Sequence, residues 1–217
     1  MERTIRVTGR GKIAVAPDTV RIMIKQSEIA PTYEGAVTRS AEQKNEINVA
    51  LSKLDFKKED VKTLSFDVST RQESYQAKDK SWKQRFLGYE FTHRMKLEFP
   101  KDSGLLGKVI GALAKLPSSP EFSLQFTVSN PETAKNELLA KAVADSAAKA
   151  KVLTEASGVE LGGIQTIDYS WGEVELVSRP MDRMMEMECI TSACLDLDIE
   201  PDDIDMTDTV TVVWEIE

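Results

Sequence analysis

The chain has 217 residues, 41% hydrophobic and 29% charged, with a formal net charge of −8. That profile is ordinary for a soluble globular protein and gives ample length for a core. The acidic balance argues against nucleic acid as a partner, because phosphate binding needs clustered Lys and Arg. No apolar run reaches membrane-spanning length, so no membrane insertion is expected. The first residues, MERTIRVTGRGK, lack the apolar core of a signal peptide. The chain as given is therefore expected in the cytoplasm. If it is the processed form of an exported protein, a periplasmic or other exported location is expected instead. Cys189 and Cys194 are too few for a disulfide framework.

Thr4–Val7 and Lys12–Val15 are strand-like runs around Gly9 and Gly11, read as a small hairpin or a bulged strand. Pro17-Asp18 marks a turn. Val20, Ile22 and Ile24 then alternate with Arg21, Met23 and Lys25, the pattern of a half-buried strand. Thr32 can cap a helix running to Leu54, with Ala36, Val37, Ile47 and Leu51 in its apolar stripe. Val61–Tyr75 and Gln84–Phe99 read as two strands of one long antiparallel hairpin. Phe91, His93, Met95, Leu97 and Phe99 share one face of the second. Asp102 caps a shorter helix, Ser103–Leu116. Phe122, Leu124, Phe126 and Val128 alternate as a strand.

The longest element follows. Asn130 is a helix cap, Pro131 fits the first helical position, and Gly158 supplies a left-handed stop. Between them Leu138, Ala142, Ser146, Ala150 and Leu153 form a stripe of mostly small residues. Such a face lets another backbone approach closely, and a sheet is the natural candidate. Ile164–Trp171 reads as a strand, as do Leu195–Ile199 and Ile204–Ile216. Strands and helices mix without a strict βαβ rhythm. This predicts an α+β fold: antiparallel sheet packed by a long helix at about 131–158 and by two further helices. The domain expectation is a single unit, 1–217, divisible into two intimate sub-modules at about 1–100 and 101–217.

Few residues suggest chemistry. Thr8-Gly9-Arg10-Gly11 has no helix N-terminus after it, so phosphate-loop geometry is not expected. Gly104–Lys108 lacks P-loop spacing, with Val109 where a magnesium-binding hydroxyl would stand. His93 is the single histidine, set in an apolar strand face, and is expected to be structural. No Gly-x-Ser-x-Gly is present. The 172–194 segment is irregular and holds Met181, Met184, Met185, Met187, Cys189 and Cys194. Soft sulfur ligands of this kind suit Cu(I). The spacing fits no zinc pattern, and Met is also the usual adaptable filler of interfaces. An interaction loop is therefore preferred and no metal site is assigned. The acidic run Asp196–Asp208 fails the EF-hand template, since Pro201 stands at the obligatory glycine and Thr207 at the final Glu. It is read as a solvated strand face.

Several segments, in this order, resemble the SIMPL-domain family, which includes bacterial periplasmic immunogenic proteins. They are Val7–Gly11, Pro17-Asp18 and Gly88-Tyr89, then Ala142, Asp145, Lys149, Ala150, Leu153, Gly158 and Leu161-Gly162 running into Ile164. The tail adds Ile199-Glu200-Pro201 followed by Val210, Val212 and Trp214. Ser146 and Thr154 depart from the family's usual small alanines, and Asp202 stands where a turn glycine is common. The resemblance implies an α+β fold, homo-oligomerisation, protein-interaction roles, and for bacterial members links to the envelope and to oxidative stress. It supplies no catalytic residues and no cofactor. The expectation is a non-enzymatic, self-associating interaction module. The alternative is a soft-metal or small-ligand binder using the Met/Cys segment.

Overall fold

The computed structural model describes residues 3–76, 80–169, 177–178 and 199–217. Among them lie eight strands: β1 (Thr4–Val15), β2 (Thr19–Ala30), β3 (Val61–Gln76), β4 (Trp82–Pro100), β5 (Glu121–Thr127), β6 (Leu161–Asp168), β7 (Val177–Ser178) and β8 (Ile204–Ile216). Three α-helices accompany them: α1 (Tyr33–Ser52), α2 (Ser103–Ala114) and α3 (Pro131–Ser157). The fold is α+β with antiparallel sheets, as the sequence predicts. It divides into two compact units, one of segments 1–18, 127–178 and 201–217, the other of 19–126 and 179–200.

The first unit is a three-stranded sheet, β1-β8-β6, backed by α3. β1 does not turn at its glycines. It runs unbroken and pairs antiparallel with β8 from Thr4 opposite Glu215 to Val15 opposite Ile204. The hairpin and bulge readings are both replaced by one strand, because the glycines serve a different purpose. A Cβ on Gly9 would stand 2.0 Å from the Ala142 carbonyl oxygen, and one on Gly11 2.2 Å from that of Leu138. Strand and helix backbones touch there, which only glycine permits.

α3 begins and ends where its caps predict. The Asn130 side chain accepts from Thr133 N–H at 3.2 Å, Pro131 opens the helix, and Gly158 takes φ 70°. Its buried residues are Ala134, Leu138, Ala142, Ser146, Ala150 and Thr154, a row at strict spacing of four. Leu153, expected on this face, is 46% exposed; continuing the row from Leu138 by fours reaches Thr154 instead. Both polar members of the row are satisfied. Ser146 Oγ donates to the Val7 carbonyl at 3.3 Å, and Thr154 Oγ1 to the Ala150 carbonyl at 3.0 Å. α3 therefore carries hydroxyls on its buried face without leaving them unpaired.

The second unit follows the order β2-α1-β3-β4-α2-β5, with strands arranged β3-β4-β2-β5. β4 lies between β2 and β3 and is antiparallel to both, the split βαβ arrangement of ferredoxin-like units. Thr32 and Asp102 cap α1 and α2, accepting from Gly35 and Leu105 N–H at 3.0 Å each. Most of the core is one cluster, including Ile22, Ile24, Ile47, Met95, Leu97, Val109 and Phe126. A smaller cluster, Ala30, Ala36 and Phe91, lies at the other end of α1.

Candidate functional site

The six sulfur-bearing candidates, Met181, Met184, Met185, Met187, Cys189 and Cys194, lie outside the described residues, as does the predicted strand at Leu195. Among the described residues no group of three or more His, Cys, Asp or Glu side chains is placed to hold a metal ion. The C-terminal part of the acidic run behaves as a strand face: Ile204 and Met206 are buried while Asp205 and Thr207 are exposed. Asp208 accepts from the Tyr169 hydroxyl at 3.2 Å. Desolvation and this carboxylate hold the phenol's pKa above its ordinary value. Gly104 and Gly107 lie within α2, whose N-terminus is occupied by the Asp102 carboxylate. A phosphate would meet that carboxylate rather than open N–H groups.

His93 sits in a polar layer that crosses the core of the second unit. Along β2 the buried residues run Ile24, Gln26, Ala30; along β4, Met95, His93, Phe91; along α1, Ile47, then Gln43 and Ser40, then Ala36. Each element thus carries polar residues between the two apolar clusters. His93 is 6% exposed, and both ring nitrogens have partners. Nδ1 lies 3.0 Å from Ser40 Oγ on α1, and Nε2 lies 2.9 Å from Thr63 Oγ1 on β3. Lys44 Nζ, also on α1, donates to Thr63 Oγ1 at 3.2 Å. The Phe66 ring meets the imidazole edge-on at 5.4 Å. Burial, and secondarily the Lys44 charge, lowers the pKa of His93 below its ordinary value. The ring is held by the fold at both nitrogens.

The sheet edges differ. At β1, α3 side chains take backbone groups: Asp145 Oδ2 accepts from Arg10 N–H at 2.7 Å, and Lys149 Nζ donates to the Thr8 carbonyl at 3.4 Å. Lys149 also pairs with Asp145 at 2.7 Å. Its hydrogen bond, then that from Arg10 N–H, holds the Asp145 pKa below its ordinary value. The outer edge of β3 has no paired strand among the described residues.

β3 and β4 also outrun their neighbours. The last β2–β4 pair is Ala30 opposite Tyr89, whereas β3 and β4 remain paired as far as Gln76 opposite Trp82. Beyond Gly88 the sheet is a two-stranded arm. Gly88 has φ 144°, and a Cβ there would stand 2.4 Å from the Ala30 carbonyl oxygen, so only glycine fits where the arm departs. Glu73 and Arg85 pair across the arm at 2.6 Å. The arm holds Tyr75, Phe86, Leu87 and, at 72% exposure, Trp82 in solvent. Phe86 packs edge-on to Tyr89 at 5.4 Å, and Tyr89 to Tyr33 at 5.9 Å. Sequence reading found the hairpin but not these aromatics. The available signal was that β4 loses its apolar alternation before Gly88 while keeping Trp82 and Phe86.

The geometry thus describes a class: an α+β protein with a polar-layered ferredoxin-like unit, a β3 edge without a paired strand among the described residues, and an aromatic arm. The chain belongs to the SIMPL family, described as "Protein of unknown function (DUF541)", whose model matches residues 5–214. It is 26% identical over 176 residues to the 26 kDa periplasmic immunogenic protein of Brucella abortus (strain S19), covering 81% of this chain and 67% of that one. It is 25% identical over the same length to the protein of that name from Brucella melitensis biotype 1, with the same shares covered. No described helix is long and apolar enough to cross a membrane.

Proposed function

We propose that this protein works by binding rather than catalysis, as a self-associating module that docks through β3 and the arm it forms with β4. The carrying observation is that β3, with no strand on its outer edge among the described residues, runs into a two-stranded arm that exposes Tyr75, Trp82, Phe86 and Leu87. A long unpaired edge is a template for another strand, and a lone two-stranded ribbon is marginal in water.

The occupant that fits is a second copy. Antiparallel pairing of β3 with itself about Ser69 sets Asp67 of each copy opposite Arg71 of the other. Such two-fold contacts are self-complementary. A centre at Thr70 would oppose Asp67 to Glu73, and centres at Asp67 or Arg71 would oppose each residue to itself. Asp67 has no ion-pair partner among the described residues, whereas Arg71 makes only an exposed pair with Glu90 at 3.6 Å. The relatives' printed name supports a periplasmic place of work for this chain, which cell fractionation tests.

The assembly reading is tested by light-scattering mass on Trp82→Ser/Phe86→Ser and on Asp67→Arg. Both variants should lose mass relative to the parent with unchanged far-UV circular dichroism. A parent-like mass in Asp67→Arg but not in the aromatic variant would keep the arm and discard the Ser69-centred register. A parent-like mass in both would discard the arm.

A further inference from the structure

Two features of the His93 site bear on one question: what a proton would do there. The first is wiring. A lysine ammonium only donates, so Thr63 Oγ1 accepts from Lys44. That leaves the single Thr63 hydroxyl proton available to His93 Nε2, and with the proton so placed the neutral ring would donate from Nδ1 to Ser40. One imidazole on β4 thereby joins α1 through Ser40 and β3 through Thr63.

The second feature is the charge around the ring. From α1 the charged group at the site is Lys44. From β2 the cross-strand neighbour is Gln26, opposite His93, and the acid further along, Glu28, is already engaged by Gln43 and Arg39. From β3 come Thr63 and Phe66, neither of which ionises in this range. A protonated ring donates from both nitrogens, so Thr63 Oγ1 would receive donors from two cations at once, and among the described residues the charge that acts on the ring is that of Lys44.

We propose that His93 is an acid-operated latch: the neutral ring ties α1, β3 and β4 together, and protonation releases β3 from α1. Thr63 is exposed, so the proton has a short way in from the β3 side. The latch stands whether or not β3 is also a docking edge.

The sign of the effect follows from linkage. With the folded pKa below the unfolded value of about 6.5, the unfolded chain binds the proton first. Stability is full above about pH 6.5 and falls as pH drops toward the folded pKa. The folding constant declines about tenfold per pH unit within that window. Glu98 and Asp145 have pKa values lowered from already acidic ones, so their contributions fade at lower pH.

Because His93 is the single histidine, a tag-free full-length chain gives one imidazole signal in NMR. Its titration midpoint should lie below 6.5, with the proton on Nδ1 at neutral pH. Lys44→Met should move the midpoint up. Amide protection at Val61–Phe66, taken relative to the intrinsic exchange rate at each pH, should fall on acidification from pH 7 to 5 in the parent and stay constant in His93→Gln, which keeps a donor and an acceptor. A midpoint at or above 6.5, an Nε2–H tautomer, or pH-independent amide protection in the parent would each overturn the proposal. The parent titration carries the test even if His93→Gln does not fold.

Discussion

The smallest decisive feature is the missing side chain at two positions of β1. Gly9 and Gly11 look like turn residues when read locally, yet both stand in extended strand against α3. The misreading has a physical cause. Glycine is used both for turns and for close backbone approach, and only the partner tells the two apart. Gly9→Ala would drive a methyl against the Ala142 carbonyl oxygen at 2.0 Å, so the backbones must separate. Overpacking of this kind costs about 1–3 kcal/mol or more, measurable as a lower urea midpoint. Gly111, inside α2, would meet nothing within 4 Å on gaining a Cβ. Gly111→Ala should instead raise stability by about 0.5–1 kcal/mol through helix propensity. Equal effects at the two sites would contradict the close-approach reading.

At the scale of the element, α3 is where sequence served best. Its caps, length and small-residue face are local signals, and the small face correctly predicted a sheet as its partner. Its phase drifted by one residue at the C-terminal end, where a step of three from Ala150 suggested Leu153 and the packed row, stepping by four, takes Thr154. A leucine pair tests the observed phase. Leu138→Ala empties a 1% exposed site and should cost about 2–5 kcal/mol. Leu153→Ala changes a half-exposed one and should stay within about 0.5 kcal/mol. Chemical denaturation of the two variants compares them directly. The β3–β4 arm shows the converse. Its pairing was legible from two alternating runs, but where β2 stops covering it depends on a neighbour far along the chain, and so did the exposure of Trp82 and Phe86.

For the whole molecule, the order of elements was readable and the pairing of distant strands was not. β1 pairs with β8 across almost the full length of the chain, and no local pattern encodes such a pairing. The same holds for the polar layer. His93 was expected to be structural, but its bonds to Ser40 and Thr63 join positions 53 and 30 residues away. The sulfur-rich segment around Met184 remains a sequence observation. What the described residues offer at this scale is one strand edge taken up by helix side chains, at β1, and others without a paired strand, among them β3, the one that continues into the aromatic arm. Such an edge beside solvent-exposed aromatics is the physical ground for the proposed assembly.

The most direct test is the light-scattering mass of the unmodified chain after size exclusion, over a hundredfold range of concentration. The account predicts a discrete multiple of the 24.2 kDa chain mass that persists on dilution. A monomer mass at every concentration would contradict it.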